Sequence, residues 1–206
     1  KLKTMGNIVG SLAHNYRTID TPNANPSQTP NNFHSLKDSE AVKAAISERL
    51  PEKRRSDAVL CVEYMITASP EWQGWSDDRQ NEYFKQAVDW LEQRHGKHNV
   101  VATSIHRDET TPHLIAYVVP LDQDTGRLNA KKFLGGKAKL AEMQSSFSDH
   151  VKNLGLERGV EGSRAKHTRI KEYDAKVNEP TARIKLIERP IAGLFEATAQ
   201  YGNQEV

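Results

Sequence analysis

The fold of this chain is decided by residues 99–120, which read NVVATSIHRDETTPHLIAYVVP. Residues 99–105 and 114–119 are rich in β-branched and aromatic side chains, which is typical of strands, and Pro120 closes the second segment. Six residues, 107–112, separate the histidines at the ends of these segments. Two strands joined by so short a loop pair antiparallel, so we expect a hairpin here.

Two histidines stand at the facing ends of the predicted strands. A hairpin would bring His106 and His113 together on one face of the sheet, with Asp108 and Glu109 in the loop between them. Imidazole and carboxylate ligands together suit Mn²⁺, Zn²⁺, Fe²⁺ or Ni²⁺, whereas Mg²⁺ prefers oxygen ligands alone. The pattern therefore predicts a metal site; the alternative is that both histidines are ordinary turn residues.

Helices flank this hairpin. The other elements expected from periodicity and capping residues are helices over 38–50, 77–95, 138–153, 166–176 and 182–201, the last with a break at Pro190, and a buried strand over 57–67. Residues 11–36 show no periodicity because Asn and Pro turn formers interrupt them, and the piece before Gly135 is expected to be extended. This order of elements favours an α+β fold with an antiparallel sheet.

A second group of functional side chains lies near the start of the chain. His14 and Tyr16 are potential nucleophiles, and Arg17 carries a guanidinium that can bind a phosphate in bidentate fashion. The alternative is that this segment packs its tyrosine and leaves its arginine in solvent.

Composition excludes several classes of protein. The chain has 206 residues, no apolar run long enough to span a membrane, and no apolar segment after its basic first residues that would indicate a secretory signal. Cys61 is the single cysteine, which excludes a disulfide framework and a cysteine-based zinc site and fits a reducing cytoplasm. We interpret Cys61 as an ordinary buried strand residue.

The net charge of +2 hides an uneven distribution. Residues 125–171 carry 11 Lys and Arg against 4 acidic residues, so this segment is +7 and the remainder is acidic. A concentrated basic segment on a nearly neutral chain is typical of a surface that meets a phosphate backbone. The alternative is a solvated helical face.

Several motifs in order resemble one family, the MobV (Pre/Mob) plasmid mobilization relaxases of the HUH endonuclease superfamily. The motifs are His-Asn-x-Arg from His14, Asn-x-Asn-Pro-x-x-Thr from Asn23, Ala-Val-Leu-Cys-x-Glu from Ala58, and His-x-Asp-Glu-x-x-Pro-His from His106. Two later runs, residues 126–136 and 155–167, are also similar to that family. The resemblance covers residues 1–175.

The resemblance implies an HUH-type relaxase domain, a central antiparallel sheet flanked by helices, that nicks one DNA strand at a plasmid origin of transfer. Residues 1–175 would form this nicking domain, with a first short strand expected ahead of Lys1. Residues 176–206 would form a C-terminal helical extension that could lead to a dimerisation region. The implied location is the bacterial cytoplasm.

The resemblance also implies roles for individual residues. His14 would be the nucleophile that forms a 5′-phosphoramidate, and His106 and His113 would be metal ligands. Glu109 would be an acid near the metal that assists the nucleophile, and Arg17 a phosphate contact. The expected cofactor is a divalent metal ion, Mn²⁺ first, with Mg²⁺, Zn²⁺ or Ni²⁺ as alternatives.

Two points stay open at this level. Many family members carry a further histidine two positions after the Pro-His pair, where this chain has Ile115, so the third ligand must be Asp108, Glu109, a residue elsewhere or water; we favour Glu109. Tyr16 is the rival nucleophile to His14, because other HUH enzymes use tyrosine.

The expected partner is single-stranded or hairpin DNA at the origin of transfer. The residues predicted to contact it are Asn15, Lys131, Lys132, Lys137, Arg164 and Lys166. We assign surface or packing roles to all the remaining histidines, although His34 could approach the predicted metal site. The alternatives are a rolling-circle replication initiator of the same fold, for which Tyr173 would be the nucleophile, and a DNA-binding module without catalysis.

Overall fold

The computed structural model describes residues 1–159 and, further along, residues 185–191, 194–201 and 204–205. The chain divides into two compact units, Lys1–Glu161 and Gly162–Val206. The predicted helix over 166–176 and the two candidate residues Arg164 and Lys166 lie outside the described residues. A domain boundary near residue 175 therefore stays a prediction.

The first unit is organised around a four-stranded antiparallel sheet in the order β1-β3-β4-β2. Its strands are β1 (Phe33–His34), β2 (Val62–Ile66), β3 (Val100–His106) and β4 (His113–Val118). The predicted hairpin is confirmed as β3 and β4, and the predicted strand over 57–67 is confirmed as the shorter β2. Leu2 forms an isolated antiparallel bridge to Cys61, just ahead of β2.

Five helices accompany the sheet in the first unit: α1 (Met5–Asn15), α2 (Ser39–Arg49), α3 (Asp77–His95), α4 (Ala130–Leu134) and α5 (Gly136–Val151). The predictions of α2, α3 and α5 are confirmed. Asp38 caps α2 by accepting a hydrogen bond from the backbone N–H of Ala41, and Gly96 ends α3 with a positive φ of 88°.

The helices cover both faces of the sheet. Helices α1 and α2 pack on one face through Ile8, Leu12, Val42 and Ile46, against the side of β4 that carries Ile115 and Tyr117. Helices α3 and α5 pack on the other face, against the side that carries Leu114, Ala116 and Val118. Strand β4 is buried along its whole length. The expected architecture, a central antiparallel sheet flanked by helices, is confirmed.

Helix α1 was not predicted, and its last residues, 11–15, fall in the stretch 11–36 for which no periodicity was found. The Thr4 side chain accepts a hydrogen bond from the backbone N–H of Asn7 at 3.1 Å and so caps the helix. Ile8 and Leu12, one turn apart, are buried against the sheet. The signal was therefore in the sequence, but the Asn and Pro residues that follow obscured it.

Two other predictions are corrected. Residues 130–134, expected to be extended, form helix α4, because Asn129 caps it by accepting a hydrogen bond from the backbone N–H of Lys132. The helices expected over 182–201 are instead strands β7 (Lys185–Ile191) and β8 (Leu194–Tyr201), followed by β9 (Gln204–Glu205). Strands β7 and β8 pair antiparallel, as do β8 and β9, and the Gly-Asn pair at 202–203 is a hairpin signal in the sequence that the helical interpretation overlooked.

Two short strands, β5 (Leu121–Asp122) and β6 (Arg127–Leu128), form a small hairpin after β4. Within the residues described, no helix combines the length and the apolar character needed to cross a membrane.

Candidate metal centre and nucleophile

The register of the central hairpin places two imidazoles side by side. His106 is the last residue of β3 and pairs directly with His113, the first residue of β4. Both side chains are buried, and His106 Nδ1 lies 3.1 Å from His113 Nε2. The predicted meeting of the two histidines on one sheet face is thus confirmed.

Backbone carbonyls fix which ring nitrogen of each histidine faces the other. His106 Nε2 lies 3.0 Å from the carbonyl oxygen of Asn15, and His113 Nδ1 lies 3.1 Å from that of Thr111. A carbonyl oxygen can only accept a hydrogen bond, so each of these nitrogens carries the proton. His106 Nδ1 and His113 Nε2 are therefore unprotonated and face each other, as histidine ligands of a metal do, and Arg17 Nη2 donates to His106 Nδ1 at 3.2 Å.

Glu109 completes a group of three potential ligands. Its Oε1 lies 3.8 Å from His113 Nε2 and 4.0 Å from His106 Nδ1, and all three ligand atoms are within 4.8 Å of one another. Burial, reinforced by the positive charge of Arg17, lowers the pKa of His106 to about 3, so this imidazole is neutral and able to bind a metal near neutral pH. The donor set of two nitrogens and one carboxylate oxygen fits a divalent transition metal.

Arg17 stands beside this group as an internal cation. Its Nε and Nη2 donate to both carboxylate oxygens of Asp108, at 2.9 and 2.7 Å, and Nη2 also donates to Glu109 Oε1 at 2.8 Å. Nη1 donates to the carbonyl oxygen of His14 at 3.0 Å. With most of its donors used in this way, Arg17 is a clamp between α1 and the 107–112 loop. The phosphate contact predicted for Arg17 stays a prediction.

The backbone of Arg17 explains how α1 ends at this site. Arg17 has a φ of 54°, the left-handed conformation that normally favours glycine just past a helix. The Thr18 backbone N–H donates to the carbonyl oxygen of Ala13 at 2.9 Å, which closes the helix end. An arginine in this conformation costs about 1–2 kcal/mol, and its bonds to Asp108 and Glu109 offset that cost.

Asp108 is buried and ionised. Burial by itself would raise the pKa of this carboxyl, but hydrogen bonds from Arg17 and Thr29 hold it well below its usual range. The Thr29 hydroxyl donates to Asp108 Oδ2 at 3.0 Å, and the backbone N–H of Asn25 donates to the Asp108 carbonyl oxygen at 2.6 Å. Asn23 donates to the outer oxygen of Glu109, Oε2, at 2.6 Å.

The Asn/Pro-rich loop therefore supports both acidic residues of the site. Our sequence interpretation placed the loop near His14 but assigned no role to Asn23 or Thr29. The available signal was the family-like spacing of Asn23 and Thr29. Their partners, Glu109 at 86 positions and Asp108 at 79 positions along the chain, could not be inferred from it.

His14 and Tyr16 occupy different environments at the end of α1. His14 is exposed, whereas Tyr16 is half-buried and stacks on His34 with ring centroids 4.3 Å apart. The Tyr16 hydroxyl donates to the carbonyl oxygen of Leu36 at 2.9 Å, and burial raises the pKa of Tyr16. Tyr16 is thus engaged in packing, while the imidazole of His14 is accessible to solvent.

Asn15 and His34 lie beneath these residues. Asn15 is 2% exposed, and its side-chain N–H donates to the hydroxyl of Ser104 at 3.0 Å. The Asn15 carbonyl oxygen positions His106, and the DNA contact predicted for Asn15 stays a prediction. His34 does approach the site: its Nδ1 lies 2.8 Å from the Ser104 hydroxyl, and its ring centroid is 6.0 Å from that of His106.

The position of the absent third histidine is filled by a core residue. Ile115 is 5% exposed and packs in the cluster beneath α1 and α2. It lies on the same face of β4 as His113, two residues further along. The group of side chains that could hold a metal ion includes Glu109.

The predicted DNA-contacting lysines differ in their freedom. Lys131 and Lys137 are exposed. Lys132 is held by Asp122 and Asp124, at 2.6 and 3.0 Å, which leaves it less available than expected. Arg164, Lys166 and Tyr173 lie outside the described residues.

Comparison with known proteins identifies the family of this chain. A family model described as plasmid recombination enzyme (Mob_Pre) matches residues 1–175. A 65 kDa protein of Zymomonas mobilis is 34% identical over 214 aligned residues, which cover 100% of this chain and 36% of that protein. A plasmid recombination enzyme type 3 of Staphylococcus aureus is 35% identical over 166 residues, which cover 78% of this chain and 38% of that protein. This chain therefore spans well under half the length of these relatives.

Solved structures are similar as well. A MobM relaxase domain bound to origin-of-transfer DNA of plasmid pMV158, in a Mn-bound crystal structure, has a TM-score of 0.72 and 29% identity, covering 85% of this chain and 95% of that one. A complex of the same domain with a 26-nucleotide origin DNA has a TM-score of 0.62 and 27% identity, covering 84% and 95%. The fold is that of a relaxase domain, and the chain belongs to the plasmid recombination enzyme (Mob_Pre) family.

Proposed function

We propose that this chain is the nicking domain of a metal-dependent relaxase, which cuts one DNA strand at a plasmid origin of transfer and later rejoins it. The observation that carries the proposal is an exposed His14 next in sequence to Asn15, whose carbonyl oxygen fixes His106 in the three-ligand group. A Mn-bound relaxase domain on origin DNA is the corresponding complex of a relative.

The residues proposed to hold the metal ion are His106, Glu109 and His113. We favour Mn²⁺, with Mg²⁺, Zn²⁺ or Ni²⁺ as alternatives, because two imidazoles and one carboxylate suit a borderline cation. When bound, a divalent cation polarises a non-bridging oxygen of the scissile phosphate and stabilises the charge that develops there. Arg17 and the Asn23 amide keep Glu109 oriented toward the histidines.

His14 is the proposed nucleophile. Its neutral imidazole nitrogen attacks phosphorus, a nitrogen–phosphorus bond forms, and the bond from phosphorus to the 3′-oxygen breaks. The 3′-oxygen takes up a proton from solvent, and the imidazolium loses its ring proton to solvent. Glu109 is proposed to assist by stabilising the positive charge that His14 acquires. The product, a 5′-phosphoramidate, retains enough bond energy for the reverse joining step.

Tyr16 is a weaker candidate on three grounds. Its hydroxyl proton is used in the bond to the Leu36 carbonyl, its ring is stacked on His34, and burial raises its pKa, which disfavours the phenolate. An attack by Tyr16 would require all three of these conditions to change.

The test is to trap the covalent adduct. The chain is incubated with Mn²⁺ and a labelled origin oligonucleotide, and the modified peptide is identified by mass spectrometry. We expect an acid-labile adduct on His14 that is lost in His14→Ala and retained in Tyr16→Phe.

The competing outcomes are distinct. An acid-stable adduct on Tyr16 would contradict the choice of nucleophile, and one lost in Tyr173→Phe would favour a replication initiator. Salt-sensitive binding without any cleavage would indicate a DNA-binding module without catalysis.

We propose a bacterial cytoplasmic location, because the substrate is plasmid DNA. Dimerisation through regions outside this chain stays a prediction, which the mass of a longer chain in solution would check.

A further inference from the structure

A second concentration of charge lies away from the metal centre. We call it the basic cleft: a space of about 700 Å³ between the 53–55 loop and the β5–β6 hairpin with the start of α4. The cations that line it are Lys53, Arg54, Arg55, Arg127 and Lys131, and its floor includes Ala58 and Leu128. An adjoining space of about 500 Å³ shares Arg55 and Lys131 and adds Lys3.

The positive charge of the basic cleft is largely unbalanced. Arg55 lies 3.3 Å from Asp57, and both side chains are exposed. In the part of the chain that the structure describes, no carboxylate comes within ion-pair distance of Lys53, Arg54, Arg127 or Lys131. An open concavity with several free cations concentrates positive potential and attracts a polyanion.

Two acids close to Arg127 in the chain are already neutralised. Asp122 and Asp124, on the β5–β6 hairpin, share the ammonium group of Lys132. Lys132 therefore removes the carboxylates that would otherwise compete for Arg127 and Lys131. The arrangement leaves cations free on both walls.

The basic cleft lies at the other end of the sheet from the metal centre. Val62 of β2 pairs with Val118 of β4, and the floor residue Ala58 lies just ahead of Val62 in the chain. His113 begins β4, so the strand of six residues, about 17 Å long, separates the two sites. A DNA strand at the metal centre would need about five nucleotides at B-form spacing to reach the basic cleft.

We propose that the basic cleft binds the phosphodiester backbone of the same single DNA strand that is cut at the metal centre. The assignment rests on the proposed function. The space is open to solvent and is bordered by two chain segments, residues 53–55 and residues 127–131, that both carry cations. Facing walls of arginine and lysine with an apolar floor suit one flexible polyanion that carries bases.

The test compares Arg54→Ala/Arg127→Ala, which removes one cation from each wall, with the parent. Binding of single-stranded origin oligonucleotides, and of a duplex form of the longer one, is measured by fluorescence anisotropy with a chelator present. One oligonucleotide extends about three nucleotides on each side of the cut and the other about twelve, because about five are needed to reach the cleft. The control Lys85→Ala/Lys97→Ala removes two exposed cations elsewhere in the unit.

We expect the cleft variant to bind the long oligonucleotide about tenfold more weakly, with a salt slope reduced by about 1.4, since each lost single-strand contact contributes about 0.7. Its affinity for the short oligonucleotide should equal that of the parent, which also shows that the variant is folded. The control variant should bind both oligonucleotides with the affinity of the parent.

Equal weakening on both lengths, or equal weakening in the control, would overturn the proposal, because it would show general electrostatic attraction. A loss confined to duplex DNA would overturn it too. Cleavage of the short oligonucleotide with Mn²⁺ is followed in parallel. If cleavage fails in every chain while the length-dependent loss persists, the proposed function fails and the basic cleft stands.

Discussion

The two ends of the central sheet handle charge in opposite ways. At the metal end, around His106 and His113, the charged groups Arg17, Asp108 and Glu109 are largely buried and bonded to one another. At the cleft end, beyond Val118, the cations of the basic cleft are exposed and mostly without carboxylate partners.

This difference indicates that the metal end is suited to catalysis and the cleft end to binding phosphates. Buried, mutually bonded groups hold fixed positions, which coordination and in-line attack require. Exposed lysine and arginine side chains have no fixed geometry, but they attract phosphates over a distance set by ionic strength. One sheet thus joins a rigid site and an adaptable surface.

The sharpest way to test this comparison is to neutralise one carboxylate at each end. Asp108→Asn removes the bidentate partner of Arg17 in a buried setting, and we expect the free energy of unfolding to fall by about 3 kcal/mol. Asp57→Asn removes the partner of the exposed Arg55, and we expect a fall below about 1 kcal/mol. Urea denaturation of both variants and the parent measures the difference. Equal losses would contradict the distinction between the two ends.

A titratable side chain can also be buried in its neutral form, as that of His95 is. Its Nε2 lies 2.9 Å from the hydroxyl of Tyr64, and burial, reinforced by the charge of Arg94, lowers its pKa to about 4. In the unfolded chain the pKa of a histidine is about 6.5. Between these two pKa values the unfolded chain binds more protons than the folded chain, so the free energy of unfolding falls as the pH falls.

For His95 the expected loss of unfolding free energy between about pH 8 and about pH 5 is about 2 kcal/mol. The variant His95→Gln should lose less than the parent on the same acidification, by about that amount. Denaturant unfolding at the two pH values checks this. An identical pH dependence in the two proteins would show that His95 does not titrate as described.

A smaller effect is expected from the neutral hydrogen bonds under the metal end. The buried Ser104 hydroxyl accepts from Asn15 and contacts His34, so Ser104→Ala should lower the free energy of unfolding by about 1 kcal/mol. Ser56→Ala, an exposed serine near the cleft end, should change it by about zero. Thermal unfolding ranks the pair, and a loss in Ser56→Ala as large as in Ser104→Ala would break the comparison.

Local patterns allowed much of the fold to be predicted. Helix α3 and the β3–β4 hairpin follow from capping residues, period and turn length, and the hairpin alone brings His106 to His113. Helix α1 was missed although the capping residue Thr4 and the spacing of Ile8 and Leu12 indicated it. The C-terminal strands were missed because Pro190 was interpreted as a break between helices.

The parts that could not be predicted are contacts between distant residues. Arg17 meets Asp108 across 91 positions, and Asn23 meets Glu109 across 86. No local propensity determines such pairs, because they depend on where α1 and the Asn/Pro loop dock on the sheet. The cation-rich 53–55 loop was overlooked for the same reason: its charge adds to that of Arg127 and Lys131 only in the folded chain.

The most direct test of the metal end is a calorimetric titration of Mn²⁺ into the chelator-treated chain. We predict one bound ion per chain and an affinity at least about 100-fold weaker in Glu109→Gln, with Asp124→Asn at the cleft end unchanged. Parent-like affinity in Glu109→Gln would contradict the proposed ligand group of His106, Glu109 and His113.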